Sequence, residues 1–352
     1  MCQQIERHGK AQLKQNSKRW EFQRWLLCHS VFIIRNILSN SYKVLQIQRW
    51  NISRSISEAR IASSGRRGAT VLFSDGTTSV ARVSSNVFRK TGNPVCGDRV
   101  RIKLNGKTWY IEEVFPREGC LTRTSPLGKK QILAANINLV AVVASITSPP
   151  LKRGFLDRAL ASAEWNRIQA VLVLNKTDLR EEKGAADTEE LQRVYCQRAG
   201  YKVILTSTVT CQGINEFREL ITGKTVALAG ISAAGKTSLV QAVNPDLDLK
   251  VGAVNLKTSK GRHTTVSARL VPLWKDTFLM DTPGLRAFSV DHIPTDELKD
   301  CFPEFRNHTN CRFRNCLHET EPGCAVREAV ENGEIDRARH LSYLKLLREE
   351  NQ

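Results

Sequence analysis

The chain has 352 residues, with 53 Lys and Arg against 35 Asp and Glu and a formal net charge of +18. At ~150 residues per domain this length accommodates two or three domains with real cores, and 41% hydrophobic with 25% charged residues excludes a wholly disordered or collagen-like chain. The longest apolar run, Trp25 to Ile34, is broken by Cys28, His29 and Ser30, far short of the ~20 residues of a spanning helix, so no membrane partner is expected.

Residues 1–67 hold 13 Lys and Arg against 3 Asp and Glu. They supply more than half of the net charge and show no sustained period. Three readings are open: a basic RNA-binding arm, an organelle transit peptide, or sequence upstream of the true start. Excess positive charge suits a polyanionic partner, since each phosphate contact releases counterions, and it serves solubility equally well.

From Gly68 to about residue 120 short β-rich runs follow: Ala69–Phe73, Thr78–Val83, Asp98–Lys103 and Thr108–Val114. Asp75-Gly76 and Asn105-Gly106 are hairpin signals between them. This spacing predicts a small barrel of the OB-fold kind, with a plain β-sandwich as the alternative.

Residues 132–290 alternate apolar strands with helices: strands at Ile137–Ala144, Gln169–Leu174, Lys202–Leu205, Thr225–Ala229, Ala268–Leu273 and Thr277–Met280, and helices at Gly154–Trp165 and Ser238–Val243. Buried strands separated by helices predict a parallel α/β sheet covered on both faces. A third region, 295–352, carries a cysteine cluster and then Glu328–Glu349, which reads as one helix.

The stretch Gly230-Ile231-Ser232-Ala233-Ala234-Gly235-Lys236-Thr237-Ser238 directly follows a strand and opens a helix, the context of a phosphate-binding loop. Backbone N–H groups and the helix N-terminus would surround phosphate, Lys236 would reach the terminal phosphates and Thr237 would ligate Mg²⁺. Asn175-Lys176-Thr177-Asp178 ends another strand. A carboxylate there can accept from N1–H and the 2-amino group of guanine, which adenine cannot offer, so GTP and GDP are the expected nucleotides. Asp281-Thr282-Pro283-Gly284 ends a third strand, where Asp281 can hold Mg²⁺ through water and the Gly284 N–H can sense the γ-phosphate. Between them, Lys260-Gly261-Arg262-His263-Thr264-Thr265 suits a switch in which a threonine, Thr264 or Thr265, closes over Mg²⁺. His263 reads either as a water-positioning group or as a loop histidine touching phosphate or RNA.

In ordinary GTPases the guanine motif follows the phosphate loop. Here Asn175 and a base-supporting loop at Thr206-Ser207-Thr208 precede it. The sheet is therefore circularly permuted, and the switches are expected to lie directly before the C-terminal module, where their motion could push it.

That module contains Cys311-x4-Cys316-x-His318-x5-Cys324, a closed set of three thiolates and one imidazole suited to a structural tetrahedral Zn²⁺. The clustering of these cysteines, with the rest dispersed, fits a reducing compartment and a metal site better than a disulfide scaffold.

On these motifs, from Asn175-Lys-Thr-Asp178 through Gly230 to Ser238, Gly261-Arg-His-Thr-Thr265, Asp281-Thr-Pro-Gly284 and Cys311 to Val326, the sequence resembles the circularly permuted ribosome small-subunit-dependent GTPase A family (RsgA) over roughly residues 68–349. The resemblance implies a multi-domain α/β protein: an OB-fold barrel at 68–120, a permuted P-loop GTPase domain at 132–290 and a helical zinc domain at 295–352. It implies a monomer that binds rRNA and hydrolyses GTP when stimulated by the small ribosomal subunit late in its maturation. The alternative is a nucleotide-gated RNA-binding module without hydrolysis. The location implied is the cytoplasm, or the chloroplast if residues 1–67 are a transit peptide. Asn175, Lys176, Asp178 and Ser207 would read guanine, and the four cysteine and histidine residues would match the family's zinc ligands. Leu285 stands where Ras-like enzymes place a water-orienting Gln, which makes His263 the leading catalytic candidate. The family usually has Gly where this chain has Ala233, a position at which positive φ or close backbone approach is at stake.

Overall fold

The computed structural model describes residues 56–65, 68–124, 130–247, 268–281 and 288–349. The first element is a barrel built from β1 (Ile56–Gly65), β2 (Gly68–Leu72), β3 (Thr78–Val83), helix α1 (Ser85–Thr91), β4 (Arg99–Asn105) and β5 (Thr108–Val114). It closes in the order β1-β2-β3-β5-β4. Alternation builds it: in β4, Val100 and Ile102 point inward while Arg99, Arg101 and Lys103 face solvent. They meet Ile61, Val71, Ala81 and Ile111 in one apolar core. Helix α1 sits between β3 and β4, where an OB-fold places its helix, and buries Val87.

The barrel's first strand lies inside the 1–67 segment read as an extension, which corrects that boundary. β1 pairs with both β2 and β4 and completes the closure. It was invisible in the sequence because its inward positions include the small Ala59 beside Ile61, within a run of Ser, Arg and Glu.

A two-stranded hairpin, β6 (Leu121–Thr124) and β7 (Lys130–Ala134), leads to the main sheet. Its elements are β8 (Leu139–Ser145), α2 (Arg153–Trp165), β9 (Gln169–Asn175), α3 (Thr188–Gln192, continued by a wider turn at Arg193–Arg198), β10 (Lys202–Thr206), α4 (Ile214–Ile221), β11 (Thr225–Ala229), α5 (Lys236–Val243), β12 (Arg269–Trp274) and β13 (Thr277–Asp281). The strand order is β10-β9-β8-β11-β13-β12. Every residue of β8 is buried. Its alternate residues enter two cores: Val140, Val142 and Ala144 pack with Leu156 and Leu160 of α2, and Leu139, Ala141 and Val143 pack with Phe217 of α4 and Leu239 of α5. The sequence predicts a parallel sheet, and the edge departs from that: β12 runs antiparallel to β13, because only Lys275 and Asp276 separate the two strands and so short a link cannot cross over.

The barrel is fixed to the base of this sheet. Arg60 of β1 donates from Nη1 to the Thr225 hydroxyl (2.9 Å) and lies 4.5 Å over the Phe278 ring. Asp98 accepts two 2.7 Å bonds from Arg117, and Asn136 Nδ2 donates to Gly97 O (3.0 Å). A Cβ on Gly97 would stand 2.1 Å from Ala135 O, so only glycine permits this approach.

After β13 the chain makes short 3₁₀ turns at Leu298–Cys301 and Pro303–Phe305, passes through the cysteine-rich loop and ends in α6 (Ala325–Glu331) and α7 (Arg337–Glu349). The single helix expected at Glu328–Glu349 is two. Gly333 at φ 76° stops the first helix, and Asp336 Oδ1 starts the second by accepting from the N–H groups of Ala338 (3.0 Å) and Arg339 (3.1 Å). Phe302, Phe305, Tyr343, Leu346 and Leu347 form its core together with Ala161 of α2.

Candidate functional site

The loop from Gly230 to Gly235 joins β11 to α5 at the carboxyl ends of the parallel strands, the edge at which open α/β sheets bind ligands. A Cβ at Gly230 would lie 2.5 Å from Val143 O, and one at Gly235 would lie 2.1 Å from Asn175 Nδ2. Both glycines are therefore demanded by close approach. Ala233 adopts φ 63°, so the left-handed conformation is reached here without glycine. Ile231 is half-buried, Ser232 and Ala233 are exposed and Ala234 is buried. Lys236 is buried and donates from Nζ to Gly230 O (2.6 Å) and Ile231 O (2.8 Å). Burial lowers its pKa, and Asp281 opposes that shift. Thr237 is half-buried and Ser238 exposed in the first turn of α5.

Asp281, the last residue of β13, is half-buried. Burial pushes its carboxyl up to about 6 against the pull of Arg269 and Lys236. His263, Thr264, Thr265 and Gly284 lie outside the described residues.

Asn175 ties the loop after β9 to the loop after β11. It is buried at the end of β9, donates from Nδ2 to Ala234 O of the phosphate loop (3.1 Å) and accepts on Oδ1 from the Thr206 hydroxyl (3.1 Å). Lys176 has φ 67° and its ammonium donates to Ser148 O. Asp178 is held by the Ser207 hydroxyl at 2.5 Å, while Ser207 Oγ accepts from the N–H groups of Val209 (3.2 Å) and Thr210 (3.1 Å). Sequence reasoning missed the supports beneath these residues. The Thr177 hydroxyl lies 2.7 Å from Gln212 Oε1 and 3.1 Å from Thr206 O. Thr177 occupies the unconstrained position of its motif, and nothing in its spacing signalled that role.

The second site is the tail cluster. The ligand atoms of Cys311, Cys316, His318 and Cys324 all lie within 4.8 Å of one another. A tetrahedron with metal–sulfur bonds of ~2.3 Å has edges of ~3.8 Å, so the donor set is of a size that zinc could occupy after small shifts. His318 Nδ1 faces Cys324 Sγ (3.2 Å) and Cys311 Sγ (3.6 Å). Burial drives the His318 imidazole down to about 4 and the Cys316 thiol up to about 12. The imidazole is therefore neutral and ready to ligate, whereas thiol protons must leave when a cation enters.

The loop is shaped by Glu321, whose carboxylate accepts from the N–H groups of Leu317 (2.6 Å), Glu319 (2.8 Å) and Thr320 (3.0 Å). From α7, the His340 ring pairs through Nε2 with His318 O (2.9 Å) and the Tyr343 hydroxyl donates to Leu317 O (2.6 Å). These two residues were also missed, because they lie beyond the cysteine motif on a separate helix.

The family model for the RsgA GTPase matches residues 114–291. A protein from Caldanaerobacter subterraneus subsp. tengcongensis, called small ribosomal subunit biogenesis GTPase RsgA, is 40% identical over 265 residues, 74% of this chain and 85% of that protein. One of the same name from Gemmatimonas aurantiaca is 42% identical over 256 residues, 71% of this chain and 82% of that protein. Among solved structures, YjeQ from Thermotoga maritima is similar with TM-score 0.70 and 30% identity, over 84% of this chain and 98% of that one. YloQ, described as a circularly permuted GTPase, matches with TM-score 0.63 and 27% identity over 86% and 98%.

Proposed function

Because the chain belongs to the RsgA GTPase family, we propose that it binds GTP in the pocket between Asn175 and Lys236 and hydrolyses it when engaged by the maturing small ribosomal subunit and its rRNA. It acts in the compartment where that subunit is assembled, the cytoplasm, or the chloroplast if residues 1–67 are a transit peptide. One observation carries the reading. Asn175 of the guanine motif is hydrogen-bonded to Ala234 of the phosphate loop, so the two motifs share one pocket although their order in the chain is reversed.

In this reading the Asp178 carboxylate, oriented by Ser207, accepts from the guanine edge, and Asn175 and Lys176 form the wall beside it. The backbone N–H groups of 230–238 surround the phosphates, and Lys236 exchanges its carbonyl partners for the terminal phosphates. Thr237 and Asp281 would hold Mg²⁺, with Thr264 or Thr265 and Gly284 the switch residues expected from the sequence. When bound, Mg²⁺ neutralises the charge that develops on the β- and γ-phosphate oxygens. Leu285 offers no polar atom to orient water, and His263 takes that role in the proposal. The residues of the tail cluster hold a structural Zn²⁺, which leaves no open position for chemistry.

Single-turnover GTP hydrolysis with and without purified small subunits tests the proposal. Slow intrinsic turnover accelerated by subunits is expected. An unchanged rate at saturating subunits refutes stimulation.

A further inference from the structure

Helix α7 carries one side chain that neither the nucleotide pocket nor the thiol cluster uses. Arg339 is 2% exposed and heads the fully buried side chains among the described residues. Its Nε and Nη2 donate to Glu304 Oε1 (2.7 Å) and Oε2 (3.0 Å), and its Nη1 donates to Asp157 Oδ1 (2.8 Å). The same Asp157 oxygen accepts from the Tyr195 hydroxyl (2.8 Å). The guanidinium lies 4.7 Å from the Phe302 ring centroid and 5.4 Å from that of Tyr195. Burial alone would lower the guanidinium pKa, but the charges of Asp157 and Glu304 and the hydrogen bonds to Glu304 outweigh it and hold that pKa well above its ordinary value.

The partners come from three places. Asp157 belongs to α2, which packs behind β8 and β9. Glu304 lies in the 3₁₀ turn on the path from β13, and Arg339 precedes His340, which holds the backbone of the zinc-ligand candidate His318. Buried ion groups of this kind are often matched in stability by apolar side chains of equal volume, because desolvation consumes most of the attraction. What the fork provides is direction, since a bidentate pair is satisfied in one orientation only.

We propose that Arg339 is a positioning residue for the subunit-stimulated reaction, locking the metal-binding tail to α2 so that contacts made by the tail reach the nucleotide pocket without slack. This rests on the function proposed above.

The test uses the full-length zinc-loaded protein in two variants. Arg339→Lys keeps the charge and loses the fork. The charge-neutral set Asp157→Asn, Glu304→Gln and Arg339→Met guards against a folding failure caused by uncompensated carboxylates. Zinc content, GTP affinity, intrinsic turnover, stimulated kcat, the half-saturating subunit concentration and hydrogen exchange in α2 and α7 are measured together. Expected are unchanged zinc, GTP affinity and intrinsic turnover, faster exchange in both helices, and a stimulated kcat lowered by about tenfold to a hundredfold with little change in half-saturation. Full stimulation in either variant overturns the proposal. So does joint loss of zinc and GTP binding in both, which would assign the triad to folding. If wild-type protein itself is not stimulated, the proposed function falls and this inference with it, a failure distinguished by the control.

Discussion

Replacing Ala233 by glycine should stabilise this protein, the reverse of the usual sign. In a helix or strand, Ala→Gly costs about 0.5–1 kcal/mol through unfolded-state entropy. Ala233 sits at φ 63° in an exposed loop, so its methyl fills no core. The left-handed conformation costs an L-residue roughly 1–2 kcal/mol, which glycine relieves. The difference leaves a net gain of about 0.5–1 kcal/mol, a rise in Tm of about 1 °C at ~2.1 cal/mol/K of unfolding entropy per residue. Ala233→Val extends the series in the other direction, because a β-branched residue is poorly tolerated at positive φ. Thermal melts of the nucleotide-free protein should rank glycine above alanine above valine. GDP and GTP affinities should follow that order by equal factors, since both nucleotides use the same loop. Glycine ranking as the least stable of the three would refute the left-handed assignment.

Asp178→Asn should weaken GTP and admit xanthosine triphosphate, whose 2-oxo group pairs with an amide; unchanged GTP affinity would remove this motif from base reading. Asp281 has a folded pKa of about 6, above its unfolded value, so its contribution to stability is complete below ~4 and is lost as pH rises through about 6. Urea midpoints of the nucleotide- and magnesium-free protein at pH 5 and pH 7.5 should therefore differ more for wild type than for Asp281→Asn, and parallel behaviour of the two would contradict the burial argument. Cys316→Ser should release zinc and open the loop between His308 and Cys324 while GTP affinity persists, because Phe302, Tyr343 and Leu346 still pack against Ala161. Hydrogen exchange confined to that loop, with stimulated hydrolysis lost, is expected; a zinc-free protein with full stimulation would reduce the metal to a local brace.

The parts of this molecule legible in its sequence are those whose cause is local. β8, β9 and β11 announce themselves as unbroken apolar runs because both faces of the sheet are covered. Gly230 and Gly235 are read from spacing because close approach excludes every other residue. The four candidate metal ligands of the tail lie within fourteen residues. What escaped is set by distant partners. β1 is defined by pairing on both sides rather than by its own pattern. Thr177 acquires its role only when Gln212 arrives 35 residues later. Asp157 and Arg339 are 182 positions apart, and neither carries a motif.

Those distant contacts change how the permuted order is to be understood. Order alone suggested that switch motion could push the tail. β11 and β13 run parallel, so the chain leaves Asp281 at the same edge as the phosphate loop. Phe288 already packs with the α2-side core of the sheet, and Val290 and Ile293 with the core of the tail. The tail is thus attached twice, through this short path and through Arg339 on α2. Shifting the tail far enough to part Arg339 from Asp157, but not far enough to admit water, would leave an uncompensated buried charge, at about 3–5 kcal/mol. Coupling between two binding sites is reciprocal by linkage, so under the proposed function the factor by which bound GTP raises affinity for the subunit must equal the factor by which the subunit raises affinity for GTP, whichever of the two attachments carries it.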